Sequence, residues 1–229
     1  MIRTDDLLAE PSRFTADVAA RCVFVDFESL KDGDPLLVGT LKKGKFEQCI
    51  LDARLADAAR AKDLSVQPLG EYCNSLLDYC EMHDGVIVAF SEKELQDLER
   101  LTGRKVKVRY LNVLKLAKRW RARFFPAEHE RVMRSRERLR SRNQYVGGRG
   151  NQLLDFTRIA NIQPPHDYGS GYEAARIRHV FDQLAKRGSY SRLTPVAKGK
   201  WTKALKHNAF DVLVLEQLCR RIADDYATN

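Results

Sequence analysis

Apolar positions in the first ninety residues fall into short runs, and those runs predict most of the architecture. Cys22-Val23-Phe24-Val25-Asp26-Phe27 is apolar throughout except for Asp26, the pattern of a strand buried on both faces. Leu36–Leu41 and Phe46–Leu51 read as two further strands. Turn residues separate them, Lys31-Asp32-Gly33-Asp34-Pro35 before the first and Lys42-Lys43-Gly44-Lys45 between the two. Three consecutive strands joined in this way predict an antiparallel meander. A short alanine-rich helix is expected over residues 53–62. A longer one over Leu69–Met82 sets Leu69, Tyr72, Cys73, Leu76, Leu77 and Cys80 at helical spacing. Val86–Phe90 is a wholly apolar fourth strand, and arrival through a helical crossover predicts parallel pairing.

Ser91 followed three residues later by Glu94 is a capping-box signature for a helix through Leu95, Leu98 and Leu101 that stops at Gly103. Val106–Leu111 alternates, as an edge strand with basic residues outward would. Val113–Arg123 reads as helix. Glu130–Arg142 is Arg-rich and lacks apolar periodicity, so partial mobility is expected there. Val146-Gly147-Gly148-Arg149-Gly150 reads as a flexible break. The last third predicts helices over Asn151–Ile162, Ser170–Arg187 and Lys200–Tyr226, the last with Leu205, Val212, Leu215, Cys219 and Ile222 on one stripe. Residues 1–20 read as a short acidic lead-in with a helical turn or two. The expected whole is one α/β domain over residues 1–229. Its mixed central sheet, an antiparallel meander plus parallel strands, is flanked by helices, with a basic Arg-rich insertion around 104–149.

Composition narrows the class. No run is long and apolar enough to span a bilayer, and the N-terminal residues carry Asp5, Asp6 and Glu10 with no uninterrupted apolar stretch. Five cysteines, an odd count mostly in apolar surroundings, suit reduced thiols in a cytoplasmic protein. Cys73, Cys80 and His83 match no zinc-ligand spacing, and core packing accounts for the two cysteines better. The net charge of +9 is unevenly distributed. Residues 104–149 hold 16 Lys and Arg against three acids, a net +13, so the remainder nets −4. Such clustering suits a polyanion, most simply a nucleic-acid backbone, with a solvated helical face as the bland alternative.

Asp26 and Glu28 are two residues apart, so a strand points both to the same face. Converging carboxylates at a buried strand end are half of an oxygen-ligand site for a hard metal ion, and a plain strand end is the competing reading.

Strand order β-β-β-α-β-α-β followed by helices, with Asp-x-Glu on the first strand, resembles the ribonuclease H-like fold. His207-Asn208-Ala209-Phe210-Asp211-Val212 resembles the closing motif of the four-carboxylate (DEDD) 3′–5′ exonuclease superfamily, normally Tyr-Asn-x-x-Asp-Val. Val23–Leu41 resembles the family's opening strand and hairpin. Ala89–Leu101 resembles the second motif of a poorly characterised bacterial nuclease subgroup, with Glu94 at the acidic position. This resemblance implies a phosphodiester hydrolase acting on DNA or RNA with two Mg²⁺ or Mn²⁺ ions. Asp26 would bridge both ions, Glu28 and Asp211 would each hold one, and Glu94 would act directly or through water. His207 would serve as a general base or a phosphate-binding histidine. Lys115, Arg119, Arg123, Arg134, Arg138 and Arg142 would grip the nucleic acid. Three features depart from the family pattern. His207 combines tyrosine-type spacing with a histidine side chain, Glu94 doubles as a capping residue, and Asn112 stands where relatives often carry Asp. A catalytically inactive ribonuclease H-like module that binds nucleic acid is therefore the alternative expectation. A third, an unrelated α/β protein with a basic arm, would leave Asp26 and Asp211 far apart.

Overall fold

A computed structural model describes residues 4–30, 33–144, 148–166, 168 and 172–228. Lys31 and Asp32 of the expected turn, Val146 and Gly147 of the expected break, and Ser170 lie outside the described residues. Helices α1 (Thr4–Ala9) and α2 (Ala16–Ala19) lead into β1 (Cys22–Ser29), β2 (Pro35–Lys42) and β3 (Lys45–Ile50). Then come α3 (Ala56–Arg60), β4 (Ser65–Val66), α4 (Leu69–Met82), β5 (Val86–Ala89), α5 (Lys93–Thr102) and β6 (Arg109–Asn112). Helices α6 (Val113–Phe124), α7 (Pro126–Ser141), α8 (Leu153–Ile159), α9 (Glu173–Arg187) and α10 (Pro195–Thr228) complete the chain.

The fold is α/β, with a mixed six-stranded sheet of order β4-β3-β2-β1-β5-β6 flanked by helices. β1 runs antiparallel to β2 and parallel to β5, and β5 runs parallel to β6. The meander and the parallel crossover thus form as their apolar runs predict. Alternation along β1 sorts its side chains between two cores. Cys22 and Phe24 face a core shared with α6, α8 and α10, whereas Val23, Val25 and Phe27 pack with Cys73, Leu76 and Leu77 of α4. Asp26 and Glu28 continue the Cys22–Phe24 row, so the fold aims both at α10. A third cluster joins α9, the first half of α10 and the β2–β3 end around Trp201, which is fully buried.

Four elements differ from expectation. The edge strand is shorter, because the Val106 N–H is taken by Glu99 Oε1 (3.1 Å) and pairing starts at Arg109. The acidic lead-in has its expected helical turns but in addition belongs to the core, where Leu7 and Phe14 are buried. The Arg-rich stretch is a 16-residue helix, α7, in which Val132 alone is buried among the described residues. Pro126 at its first turn and the Glu128–Arg131 and Glu130–Arg134 pairs favour helix without an apolar stripe. Finally, the basic segment is only partly an addition, since β6 and α6 are integral. Trp120 of α6 is fully buried and donates its indole N–H to Asp225 Oδ2 of α10 (2.8 Å).

Candidate metal centre

β1 and α10 meet at the C-terminal end of β1, where α10 crosses unusually close to the sheet. In the strand register Asp26 pairs with Gly39, and Gly39 with Gln48, so the three form a row across β1, β2 and β3. Asn208, fully buried, lies over this row. Its Nδ2 donates to the Asp26 carbonyl (3.1 Å) and to Asp26 Oδ2 (2.8 Å), while its Oδ1 accepts from Gln48 Nε2 (2.9 Å). Gln48 also donates to the Leu205 carbonyl (2.9 Å), so the row is stitched to two turns of the helix. A buried amide is costly unless both its ends are satisfied, and here both are.

His207, the neighbour of Asn208, and Asp211, one turn further along α10, lie on the same side of the helix as each other. The oxygens of Glu28 and Asp211 and a His207 ring nitrogen lie within 4.8 Å of one another. His207 Nε2 is 3.0 Å from Glu173 Oε1 and 3.3 Å from Asp211 Oδ2. Its Nδ1 is 3.2 Å from the Tyr168 carbonyl, and the Tyr168 ring stacks on the imidazole at 4.1 Å between centroids. The Tyr168 hydroxyl donates to Asp211 Oδ1 at 2.5 Å. Ser91 Oγ donates to Glu94 Oε2 (2.9 Å) and accepts from the Lys93 N–H (3.1 Å), which seats Glu94 at the start of α5.

Electrostatics tie the four expected carboxylates together. Asp26 keeps part of its surface open to solvent, yet its carboxyl sits well above the usual range. Burial is the main cause, followed by the charges of Glu28, Asp211 and Glu94, with the Asn208 hydrogen bond opposing them. Burial likewise pushes Glu28 up to about 8; His207 opposes that rise, and Asp211 and Glu173 add to it. Glu94 is raised by burial against its own hydrogen bonds. Burial acts against a charged His207, but its bonds to Asp211 and Glu173 outweigh this and raise it to about 10. Such a cluster of buried, mutually repelling carboxylates is short of positive charge.

Of the residues expected at the site, Glu28, His207 and Asp211 bring their ligand atoms within 4.8 Å of one another, and Asp26 lies near enough for the charges of Glu28, Asp211 and Glu94 to act on it. The expectation that Asp26 and Asp211 lie far apart is not met, since Asn208, three residues before Asp211, bonds Asp26 and the charge of Asp211 acts on it. His207 differs in detail: it is 5% exposed and both ring nitrogens are engaged, so no free nitrogen faces solvent as a base would need. Asn112 caps α6, accepting the Lys115 N–H at 3.1 Å. Gln48, Tyr168 and Glu173 went unread in the sequence, because only tertiary packing brings them to the motif residues.

Lys115, Arg119, Arg123, Arg134, Arg138 and Arg142 are all exposed. Lys115 pairs with Glu92 at 2.5 Å, setting the start of α6 beside the start of α5 that holds Glu94. Arg119 donates to the Leu8 carbonyl (2.7 Å), and Arg123 lies over the rings of Phe124 and Tyr226. Arg121, by contrast, is buried; it bonds Gly150 and Asn151 and stacks on Phe156, fastening the chain after α7 to the core. Cys73 and Cys80 are buried core residues, and the five cysteines are free. No helix among the described residues is long and apolar enough to cross a membrane.

No protein-family model matches the chain, and neither the curated proteins nor the solved structures provide a match.

Proposed function

We propose that this protein is a metal-dependent nuclease of ribonuclease H-like fold that removes nucleotides from DNA or RNA, in the 3′–5′ exonuclease mode. The observation that carries the reading is the meeting of Glu28 of β1 with His207 and Asp211 of α10, whose ligand atoms lie within 4.8 Å of one another, beside an Asp26 that the charges of Glu28, Asp211 and Glu94 all act on. The sheet order agrees with it, because an antiparallel β3-β2-β1 meander continued by parallel β5 and β6 is the layout that the resemblance implies. The donor set fits divalent cations: it is rich in carboxylate oxygens, and Glu28 and Asp211 lie close together.

Asp26, Glu28 and Asp211 would hold the ions, with Glu94 in direct or water-mediated contact. Two divalent cations there would supply activation of water and charge stabilisation at the leaving 3′-oxygen. The chain's own residues do the rest. Asn208 fixes the Asp26 carboxylate, so that group need not reorganise when charge develops. Tyr168 holds one oxygen of Asp211 and leaves its second lone pair open. Lys93, whose charge is felt by Glu28, stands at the rim on the side of Ser29. The exposed arginines of α7 would supply phosphate contacts for a bound strand.

One observation favours a second reading, a catalytically inactive nucleic-acid-binding module of the same fold. Asn112 spends its side chain capping a helix, at the place where related motifs often supply a carboxylate.

The deciding experiment is digestion of 5′-labelled single-stranded DNA and RNA with Mn²⁺, Mg²⁺ or EDTA, using wild type and Asp26→Ala. A ladder shortening from the 3′ end, lost in EDTA and in the variant, is expected and would name the substrate. Binding without cutting in either metal would establish the inactive module instead.

A further inference from the structure

His207 is expected to serve as a base, and its surroundings suit a different task. The Tyr168 carbonyl can only accept a hydrogen bond, so the 3.2 Å contact requires the hydrogen on Nδ1. That hydrogen bond, together with the Tyr168 ring stacked at 17° between planes, fixes both tautomer and ring orientation. Nε2 is left facing carboxylate oxygens, Glu173 Oε1 at 3.0 Å and Asp211 Oδ2 at 3.3 Å, with Glu28 in the same 4.8 Å cluster. A backbone carbonyl clamping the far nitrogen while the near one meets carboxylates is the outer-shell arrangement of metal-bound histidines.

One geometric point separates a metal ion from a proton in that position. A single N–H on Nε2 cannot be directed at Glu173, Asp211 and Glu28 at once, whereas a cation accepts all of them. The 3.0 and 3.3 Å contacts to Glu173 and Asp211 are also compatible with one coordination shell, because bonds of about 2.1 Å put neighbouring donor atoms about 3.0–3.4 Å apart. We infer that His207 is a metal ligand through Nε2, and that the centre made by Glu28, His207, Asp211 and Glu173 takes a first-row transition dication such as Mn²⁺ in preference to Mg²⁺. An imidazole ligand makes the difference, since Mg²⁺ strongly prefers oxygen and transition ions accept nitrogen readily. This rests on the reading of the carboxylates as metal-binding and goes on to specify which ion they bind and through which atoms. It also makes Tyr168 a positioning residue that orients His207, with no contact to the ion needed.

The test uses the full chain loaded with Mn²⁺ and read by electron spin echo envelope modulation, which detects nitrogen bonded to the ion. Modulation from ¹⁴N is expected. It should change to the ¹⁵N pattern when the wild-type protein carries ¹⁵N-histidine, disappear in His207→Gln, and persist in His166→Gln. The labelled wild type keeps the test decisive even if a variant fails to fold. Calorimetric titration should show Mn²⁺ bound at least about tenfold more tightly than Mg²⁺, with the gap narrowing to about threefold or less in His207→Gln. Bound Mn²⁺ without nitrogen modulation would overturn the inference while leaving an all-carboxylate metal site standing. Binding of neither ion would overturn both this inference and the metal-dependent reading beneath it.

Discussion

Asn208 lies directly over Gly39: a Cβ built on the glycine would come within 2.4 Å of Asn208 Oδ1 and 2.8 Å of Val212 Cγ2. The missing side chain on β2 therefore decides how close α10 comes to the sheet. Through that closeness Asn208 reaches Asp26, and His207 and Asp211 reach Glu28. A residue with no functional group sets the geometry of the centre.

Gly39→Ala is accordingly expected to act at a distance. The added methyl group must push α10 outward or tilt Asn208 away from Asp26 and Gln48. A loss of about 1–3 kcal/mol is expected, as for overpacking elsewhere. Urea denaturation would measure it, and Mn²⁺ titration of the folded variant should show weakened binding.

Asp26→Asn should produce effects of opposite sign. Removing one of several crowded, buried negative charges is expected to stabilise the metal-free protein by about 1–2 kcal/mol. The same change should abolish cleavage and most of the rise in Tm on adding Mn²⁺. Paired thermal melts in EDTA and in Mn²⁺ would show both effects, and a variant that loses stability in EDTA would contradict the charge argument.

Stability of the metal-free protein should fall as pH rises. Glu28 is raised to about 8, so the folded state binds its proton more tightly and is penalised as pH climbs from about 4.5 through 8. His207 is raised to about 10, so its stabilising contribution is complete below about 6.5 and is lost as pH passes 10. Both effects have the same sign. In EDTA the Tm is expected to decline from about pH 4.5 upward and to be several degrees lower at pH 9, the window set by these shifts. Saturating Mn²⁺ should flatten that decline.

The arginines of α7 offer a test on nucleic acid alone. Replacing Arg134, Arg138 and Arg142 by Ala removes three exposed charges from a helix that buries little, so Tm should change by less than about 2 °C. Affinity for single-stranded oligonucleotide should fall, and the slope of log affinity against log salt should decrease by about 2. Fluorescence anisotropy at several salt concentrations would give both numbers.

The thiols should be inert in the native state. All five cysteines are buried, and burial raises Cys22 and Cys80 to about 12 and Cys73 to about 11. With Ellman's reagent at pH 8 the native protein should react at least about a hundredfold more slowly than the unfolded chain, which should titrate five thiols.

What could be read from the chain follows its local physics. β1, β2 and β5 are legible because burial on both faces demands largely apolar runs, whereas β3, exposed or half-buried over Lys45–Gln48, is legible from the Lys-Lys-Gly-Lys turn that leads into it. Asp26 and Glu28 are legible because they interrupt such a run. His207 and Asp211 share a helix face by spacing alone. α7 was harder, because arginine favours helix by propensity without leaving an apolar stripe. Arg121 carries no local mark of burial, because Gly150, Asn151 and Phe156 enclose it only in the folded chain. β4 has only two residues and exists because the edge of β3 has backbone groups to pair. Glu173 and Tyr168 carry no local mark at all, since their value comes from where α9 and the residues before it pass over α10.

The 34-residue α10 spans about 51 Å and closes two of the three cores as well as the site. Asp26 and Asn208 are 182 positions apart, so a ribosome adds most of the chain between making the first and making the second. Until then the sheet face under α10 is open and the carboxylates of β1 lack the partners that order them. Under the proposed function, competence to bind metal would therefore arrive as a late, all-at-once event in the life of each molecule, coincident with the final collapse of the chain.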